Sequence, residues 1–457
     1  MSEQHLHSAL ASTETQDDHD VASVTSLEEQ QQALHRSRNI PLIYVLAFLG
    51  RLMWSCSFGP WIDIYMSDLS GNRNRVVGLV ESARGTVLIC VSLCSGMVAD
   101  KVSRAAMLRT SAVLMVPPSV LYGWGVYQEN LALVAVALLM HSFTGQFGLM
   151  AQELLLQDCS TDFDRTLILS KKNALENFAL GLGPLLQMVM VLMRGRRQEG
   201  GADWSVGLIK EVLLFGLLIQ PVLVMLTFLV HHVKPGAGNA AQNRSAGTEP
   251  WRAQLIFGCA RRDVLVTIWA EACWILSNAG AGLTLKFVPL FWREVVRLSP
   301  IGLLIVQVAE PWGLALCNNY TPQITQRLGR AQSCVVFVFL GAIFLAIFAC
   351  FAGRDWLPTP MAALIWVLRT STGRAWVPCI SSILYTCVPP EKQGRYTSVS
   401  TIKSYCFSVF SGIGGEISDN FGFRASFLIT AAVQAVVAFS FLPVISWFRP
   451  AEAAIAH

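Results

Sequence analysis

Twelve mostly apolar stretches of about 20 residues or more run through this chain, near 41–67, 75–98, 106–127, 131–156, 167–193, 205–232, 264–291, 300–317, 331–352, 357–385, 397–417 and 424–447. A run of that length is what an α-helix needs to cross the hydrocarbon core of a bilayer, where each backbone N–H and C=O must find its partner within the segment itself. The fold class this pattern implies is an all-α membrane protein with twelve transmembrane helices. Several stretches exceed the minimum and are expected to tilt or to emerge from the membrane. Composition points the same way: 14% of residues are charged, against about 25% in soluble domains. The net charge of +4 is small and dispersed, which leaves nucleic-acid binding without support. The 12 cysteines are scattered, with no CxxC or Cys/His cluster at ligand spacing. They read as small buried side chains, and neither metal nor cofactor is expected.

The apolar segments also repeat. Pro60, Ser70 and Glu81 in the first half answer Pro289, Ser299 and Glu310, each pair 229 residues apart. Thr144-Gly145 and Cys159 answer Thr372-Gly373 and Cys387 at an offset of 228, and Lys172, Gly181 and Gly183 answer Lys403, Gly412 and Gly414 at 231. Such an offset is expected of a duplicated six-helix unit, giving two pseudo-symmetric bundles with a substrate path on the axis between them.

Residues 1–40 are polar, carry a Gln run at 30–32 and lack apolar periodicity, so they are expected to form a disordered cytoplasmic tail. No basic start followed by a short apolar core marks a signal peptide. The expected organisation is a first bundle over 41–232, a cytoplasmic linker over 233–262 rich in Pro and Gly, a second bundle over 263–448 and a cytoplasmic tail over 449–457. Lys and Arg favour the loops on the side of the two termini, with Lys234, Arg244, Arg252, Arg261 and Arg262 in the linker as the strongest anchor, so both termini are expected in the cytoplasm. The sequons at Asn243 and Asn319 then fall on the inside and are expected to be unused. A monomer in the lipid bilayer is the expected working unit.

Three short stretches bear on identity. GMVADKVSR (Gly96–Arg104) follows the second helix, PQITQRLGR (Pro322–Arg330) the eighth, and GEISDNFGFR (Gly415–Arg424) the eleventh. They resemble the Gly-x-x-x-Asp-(Arg/Lys)-x-Gly-Arg signature of the major facilitator superfamily, and the resemblance covers roughly residues 40–448 in layout. It implies that inward loops lock one conformational state, with Gly96, Asp100, Arg104, Arg330, Asp419 and Arg424 as switch residues. Ser103 departs from the usual Gly, and Gln326 stands where the second acid belongs, so the lock is expected to be asymmetric. GLGP (Gly181–Pro184) resembles an antiporter motif in the fifth helix, but Ala179 and Gln187 occupy positions where glycines are preferred there. It reads equally as a close-packed kink.

A charge at the bilayer centre costs about 2.5–3.5 kcal/mol on insertion scales, so each one should face a cavity or a partner. Asp63, Glu81, Arg84, Glu176, Lys286, Glu310, Arg374 and Lys403 are therefore candidates for a substrate or proton path. Glu81 and Arg84 stand at i, i+3 and can pair on one helix face, as a functional site or as structure alone. In the second half Lys286, Arg369, Arg374 and Lys403 outnumber Glu271 and Glu310, a surplus that fits an anionic small molecule. Glu310 has no base within a turn of its own helix, which makes it the expected proton carrier and Glu81 the structural partner. The function read from the sequence is a proton-coupled secondary transporter working by alternating access. The alternative is a transporter-like receptor or scaffold that binds without translocating. No HExxH, GxSxG, phosphate loop or metal cluster suggests an enzyme.

Overall fold

The computed structural model describes residues 3–456 except 100, 161–164, 196–203, 234–254, 257–259 and 389–392. In the first half α1 (Glu3–Ser57) and α2 (Pro60–Leu69) form the first span and α3 (Asn74–Ala99) the second. The third is α4 (Arg104–Leu114) with α5 (Val116–Tyr127), the fourth α6 (Leu131–Cys159), the fifth α7 (Arg165–Gly195) and the sixth α8 (Val206–Leu217) with α9 (Gln220–Phe228). A two-residue hairpin of β1 (Leu255–Ile256) and β2 (Ala260–Arg261) precedes the second half. There follow α10 (Arg262–Gly282) with α11 (Val288–Glu294), α12 (Pro300–Leu328), α13 (Arg330–Phe351), α14 (Thr359–Cys387), α15 (Gln393–Phe421), and α16 (Phe423–Ser440) with α17 (Leu442–Ala456).

The sequence repeat is visible in the elements. The opening span of each half breaks and restarts at a proline, Pro60 in α2 and Pro289 in α11, because proline lacks the N–H that would continue the helix but fits its first turn. Ser70 and Ser299 then hold the turn into the second span: the Ser70 hydroxyl accepts from the Arg73 amide at 3.3 Å and that of Ser299 from the Gly302 amide at 3.2 Å. The halves meet where α3 packs on α15 and α7 packs on α12, two contacts that the duplication exchanges. Close approach is possible because glycine removes the side chain at the crossing. A Cβ on Gly85 of α3 would lie 2.6 Å from the Ser408 Cβ of α15, and one on Gly415 would lie 2.6 Å from the Asn74 carbonyl oxygen.

Among the described residues, ten spans combine the length and apolar character needed to cross a membrane; α14 and α15 have the length but are more polar. The stretch expected as a disordered tail differs from expectation, since α1 is helical from Glu3 onward. No Gly or Pro interrupts the chain before Pro41, so nothing breaks the helix that the first span nucleates. Helix likewise continues in α17 past residue 448. Most of the linker over 233–262 lies outside the described residues.

Candidate functional site

Where α10 gives way to α11, Lys286 reaches across to the first half. Its Nζ lies 3.4 Å from Asp63 Oδ1 on α2 and 3.2 Å from Glu81 Oε2 on α3. Arg84 Nη1 donates to the same Glu81 oxygen at 2.8 Å, and its Nε to Ser142 Oγ at 3.0 Å. Ser408 of α15 donates to the other Glu81 oxygen at 2.7 Å. All four charged residues are buried. Two carboxylates and two cations balance, which is the condition under which such a cluster tolerates low dielectric. The i, i+3 pair expected within α3 is thus half of a cluster that Asp63 of the same bundle and Lys286 of the opposite one complete. Asp63 also sits in the first turn of α2, where the helix dipole favours an anion.

One end of the seam between the halves is sealed beyond this cluster. Asp419 of α15 accepts from the backbone amides of Asn74 and Arg75 at 2.9 and 2.8 Å, capping α3. Arg75 pairs with Glu416 at 3.0 Å and Arg293 with Asp68 at 2.6 Å. Trp204 Nε1 donates to the Leu298 carbonyl at 3.0 Å, with the Arg293 guanidinium over its ring. Trp61, Tyr65, Phe291 and Trp292 of the two halves join one apolar cluster at the same end.

On the other side of the cluster, toward the opposite end, Tyr405 of α15 donates to Gln146 of α6. Arg374 of α14 is exposed and lies within electrostatic range of both Glu310 on α12 and Arg51 on α1. Arg51 is exposed as well, its guanidinium 5.7 Å from the Trp54 ring centroid. Glu310 accepts from the Trp366 indole, and the Arg369 guanidinium stands 5.1 Å over that ring. Glu310 therefore has no base within a turn of its own helix but two nearby on α14.

The remaining candidates are held elsewhere. Lys403 pairs with Glu271 at 2.8 Å and lies over the Trp274 ring, inside the second half. Glu176 shares Lys172 with Glu153 inside the first. Arg104 pairs with Asp158 at the end opposite the seal, Gly96 lies in the last turns of α3, and Arg330 donates to Thr386 Oγ1 at 3.4 Å. Asp100 lies outside the described residues. Arg424 caps the C-terminus of α13, donating to the carbonyls of Cys350 and Ala352 at 2.8 and 2.9 Å.

One expectation is corrected. The stretches at 96–104 and 322–330 share one end of the bundle, but Asp419 and Arg424 lie at the sealed end, against Asn74. Nine spans separate the first stretch from the third, and an odd number of crossings puts them on opposite faces.

The sequence profile of the Major Facilitator Superfamily matches residues 42–410. The chain belongs to the major facilitator superfamily. Among solved structures, the D-xylose–proton symporter is 14% identical with a TM-score of 0.67, covering 88% of this chain and 97% of its own. A variant of the nucleoside transporter NupG is 15% identical at 0.66, covering 89% and 99%. The human organic anion transporter MFSD10 is 13% identical at 0.58, covering 89% and 99%. A search of curated proteins gives no match. At these identities the likeness establishes the twelve-helix fold of the superfamily, and the chain is a multi-pass membrane protein of a transporter family. Three contributors escaped the sequence reading: Ser408, Trp366 and the Gln146–Tyr405 pair are uncharged, and hydropathy gives no signal for them.

Proposed function

We propose that this member of the superfamily carries a small organic anion by alternating access and couples its passage to protons. The observation behind this reading is the pair Arg51 and Arg374. One comes from each half, both are exposed, they lie within electrostatic range of each other, and neither forms an ion pair with a described residue. Two facing guanidiniums inside a membrane protein repel unless water or an anion stands between them, and the planar fork of arginine matches a carboxylate or phosphate. Lys286 and Lys403, which contribute to the surplus of positive charge in the sequence, are neutralised by acids, so the arginines carry that surplus.

In this reading Glu310 is the proton carrier. While ionised it offsets Arg374 across the groove; once protonated it releases that guanidinium to a substrate anion, so proton and anion load together. Glu81 stays a structural anchor, with cations from both halves and Ser408 on its oxygens. The sealed end is taken as outward, because the basic linker and the loop bias place the termini in the cytoplasm. The site then opens inward, and Gly96, Asp100, Arg104 and Arg330 belong to the contacts that close it in the opposite state.

The test is uptake into liposomes holding the purified protein, under an imposed proton gradient, with a panel of labelled organic anions beside neutral sugars and nucleosides. An anion should accumulate, and Arg374→Gln should abolish its uptake. Ligand-induced thermal stabilisation without uptake would favour a receptor and overturn the proposal.

A further inference from the structure

The cysteines are scattered in the sequence, but the fold brings three of them to one place in the second half. Cys334 stands in the second turn of α13, Cys379 two turns from the end of α14 and Cys317 three turns from the end of α12. Consecutive and antiparallel, α13 and α14 cross at a pair of glycines: a Cβ on Gly341 would lie 2.7 Å from the Gly373 Cα. Cys334 lies about two turns before that crossing on one helix and Cys379 about two turns beyond it on the other, so antiparallel packing sets them side by side. The contacts agree. Cys334 Sγ donates to the Trp376 carbonyl at 3.9 Å, and Cys379 Sγ to the neighbouring Ala375 carbonyl at 3.7 Å. The two thiols stand within hydrogen-bonding reach of each other. Cys317 comes within electrostatic range of Cys379 from the side of α12.

Cys334 and Cys379 are 1% and 2% exposed and share an apolar cluster with Phe337, Ile380 and Ile383. Thiols in such surroundings are ordinarily inert, because nothing reaches them. Here Cys379 is reached. It stands in the wall of a cavity of about 520 Å³ between α12 and α14, beside Asn318, Thr325 and Ser382, at the end of the bundle opposite the seal. A cavity with polar groups in its wall takes up water and solutes of similar size. Hydrogen peroxide is one of these; a protein oxidant or reductant is far too large to enter.

We propose that Cys334 and Cys379 are a modification site: hydrogen peroxide entering the α12–α14 cavity converts them to a reversible disulfide that clasps α14 to α13. Cys379, which meets the cavity, attacks one peroxide oxygen. An S–O bond forms as the O–O bond breaks, and the other oxygen leaves as water with the thiol proton. Cys334 Sγ then attacks the sulfenic sulfur of Cys379; the S–S bond forms, the S–O bond breaks, and the hydroxyl leaves as a second water with the Cys334 proton. Two thiols are oxidised and one peroxide is reduced. Because the thiols are held together, the second step outruns further oxidation of Cys379 to the sulfinic acid. The clasp fixes the part of α14 that carries Arg374, little more than a turn away.

The test uses the full-length protein, purified in detergent in reduced form and exposed to hydrogen peroxide. Remaining thiols are alkylated, and unreduced peptides are mapped by mass spectrometry. A linked Cys334–Cys379 peptide should accumulate ahead of any other cysteine pair and disappear when dithiothreitol is returned. In Cys334→Ser the link should be absent and Cys379 should run on to the sulfinic acid; Cys334→Ala replaces that variant should it fail to fold. Three results overturn the proposal: Cys379 sulfinic acid without the link in the parent protein, a Cys317–Cys379 link in its place, or both thiols intact at a dose that fully oxidises free cysteine. Transport enters none of these readouts, so a failed clasp leaves the proposed function standing, and a protein that moves nothing leaves the clasp standing.

Discussion

Lys286 stands in the gap between α10 and α11 and serves two carboxylates of the other half, so its removal leaves Asp63 and Glu81 buried with Arg84 as their one neighbouring cation among the described residues. Removing one partner of a buried ion cluster costs about 3–5 kcal/mol. Lys286→Met is expected to lower the thermal midpoint in detergent accordingly, and adding Glu81→Gln should restore part of the loss, because a charge is then removed with its counter-charge. Glu310 and Glu81 should separate in function. Glu310→Gln is expected to abolish pH-dependent uphill uptake while leaving folding intact, whereas Glu81→Gln should reduce stability first; transport across a pH range beside thermal midpoints distinguishes them. How far this was legible follows from distance along the chain. Glu81 and Arg84 declare themselves by their i, i+3 spacing, whereas Lys286 and Asp63 are 223 residues apart, with no local pattern to join them. The arginines that face Glu310 belong to another helix, so an inspection of its own turn finds none.

At the scale of elements, the contact of α3 with α15 depends on glycines, of which the repeat in the sequence marks Gly412 but not Gly78, Gly85 or Gly415. A Cβ on Gly78 would collide with the Ser411 backbone carbonyl, which cannot move aside as a side chain can. Gly78→Val is therefore expected to pry the two helices apart at the sealed end. The amides of Asn74 and Arg75, held by Asp419, report this directly: their hydrogen exchange should quicken by an order of magnitude or more. Gly50→Val, where a Cβ meets nothing within 4 Å, should leave exchange unchanged. Helix number and approximate limits were readable because length and hydropathy carry them. The breaks at Pro60 and Pro289 were marked as a matched pair. That both prolines restart a helix beside the charged cluster was not readable, since it depends on where the interrupted segments cross.

For the whole molecule, the two halves share polar contacts from Asp419–Asn74 through Lys286–Glu81 to Tyr405–Gln146. Separately expressed segments 1–245 and 246–457 are expected to co-purify in mild detergent when produced together, and Asp419→Asn combined with Lys286→Met should weaken that association. Parity of crossings, simple as it is, decides which signature-like stretches can act at one membrane face, and it separates Asp419 from Arg104. The polarity of α14 and α15 reaches beyond the finished fold into its assembly. Each arginine or lysine at a helix centre adds about 2.5–3.5 kcal/mol against insertion, and α14 brings Arg369 and Arg374 while α15 brings Lys403. Their acidic neighbours, Glu310 and Glu271, are on α12 and α10, which leave the ribosome earlier. An isolated α14 should fail to integrate in a translocon assay, and the same segment following α10–α13 should integrate. During synthesis the first helices of the second half thus act as the receiving surface for the last ones, and a lesion at Glu271 or Glu310 would surface as lost protein in the membrane before any defect in transport could be measured.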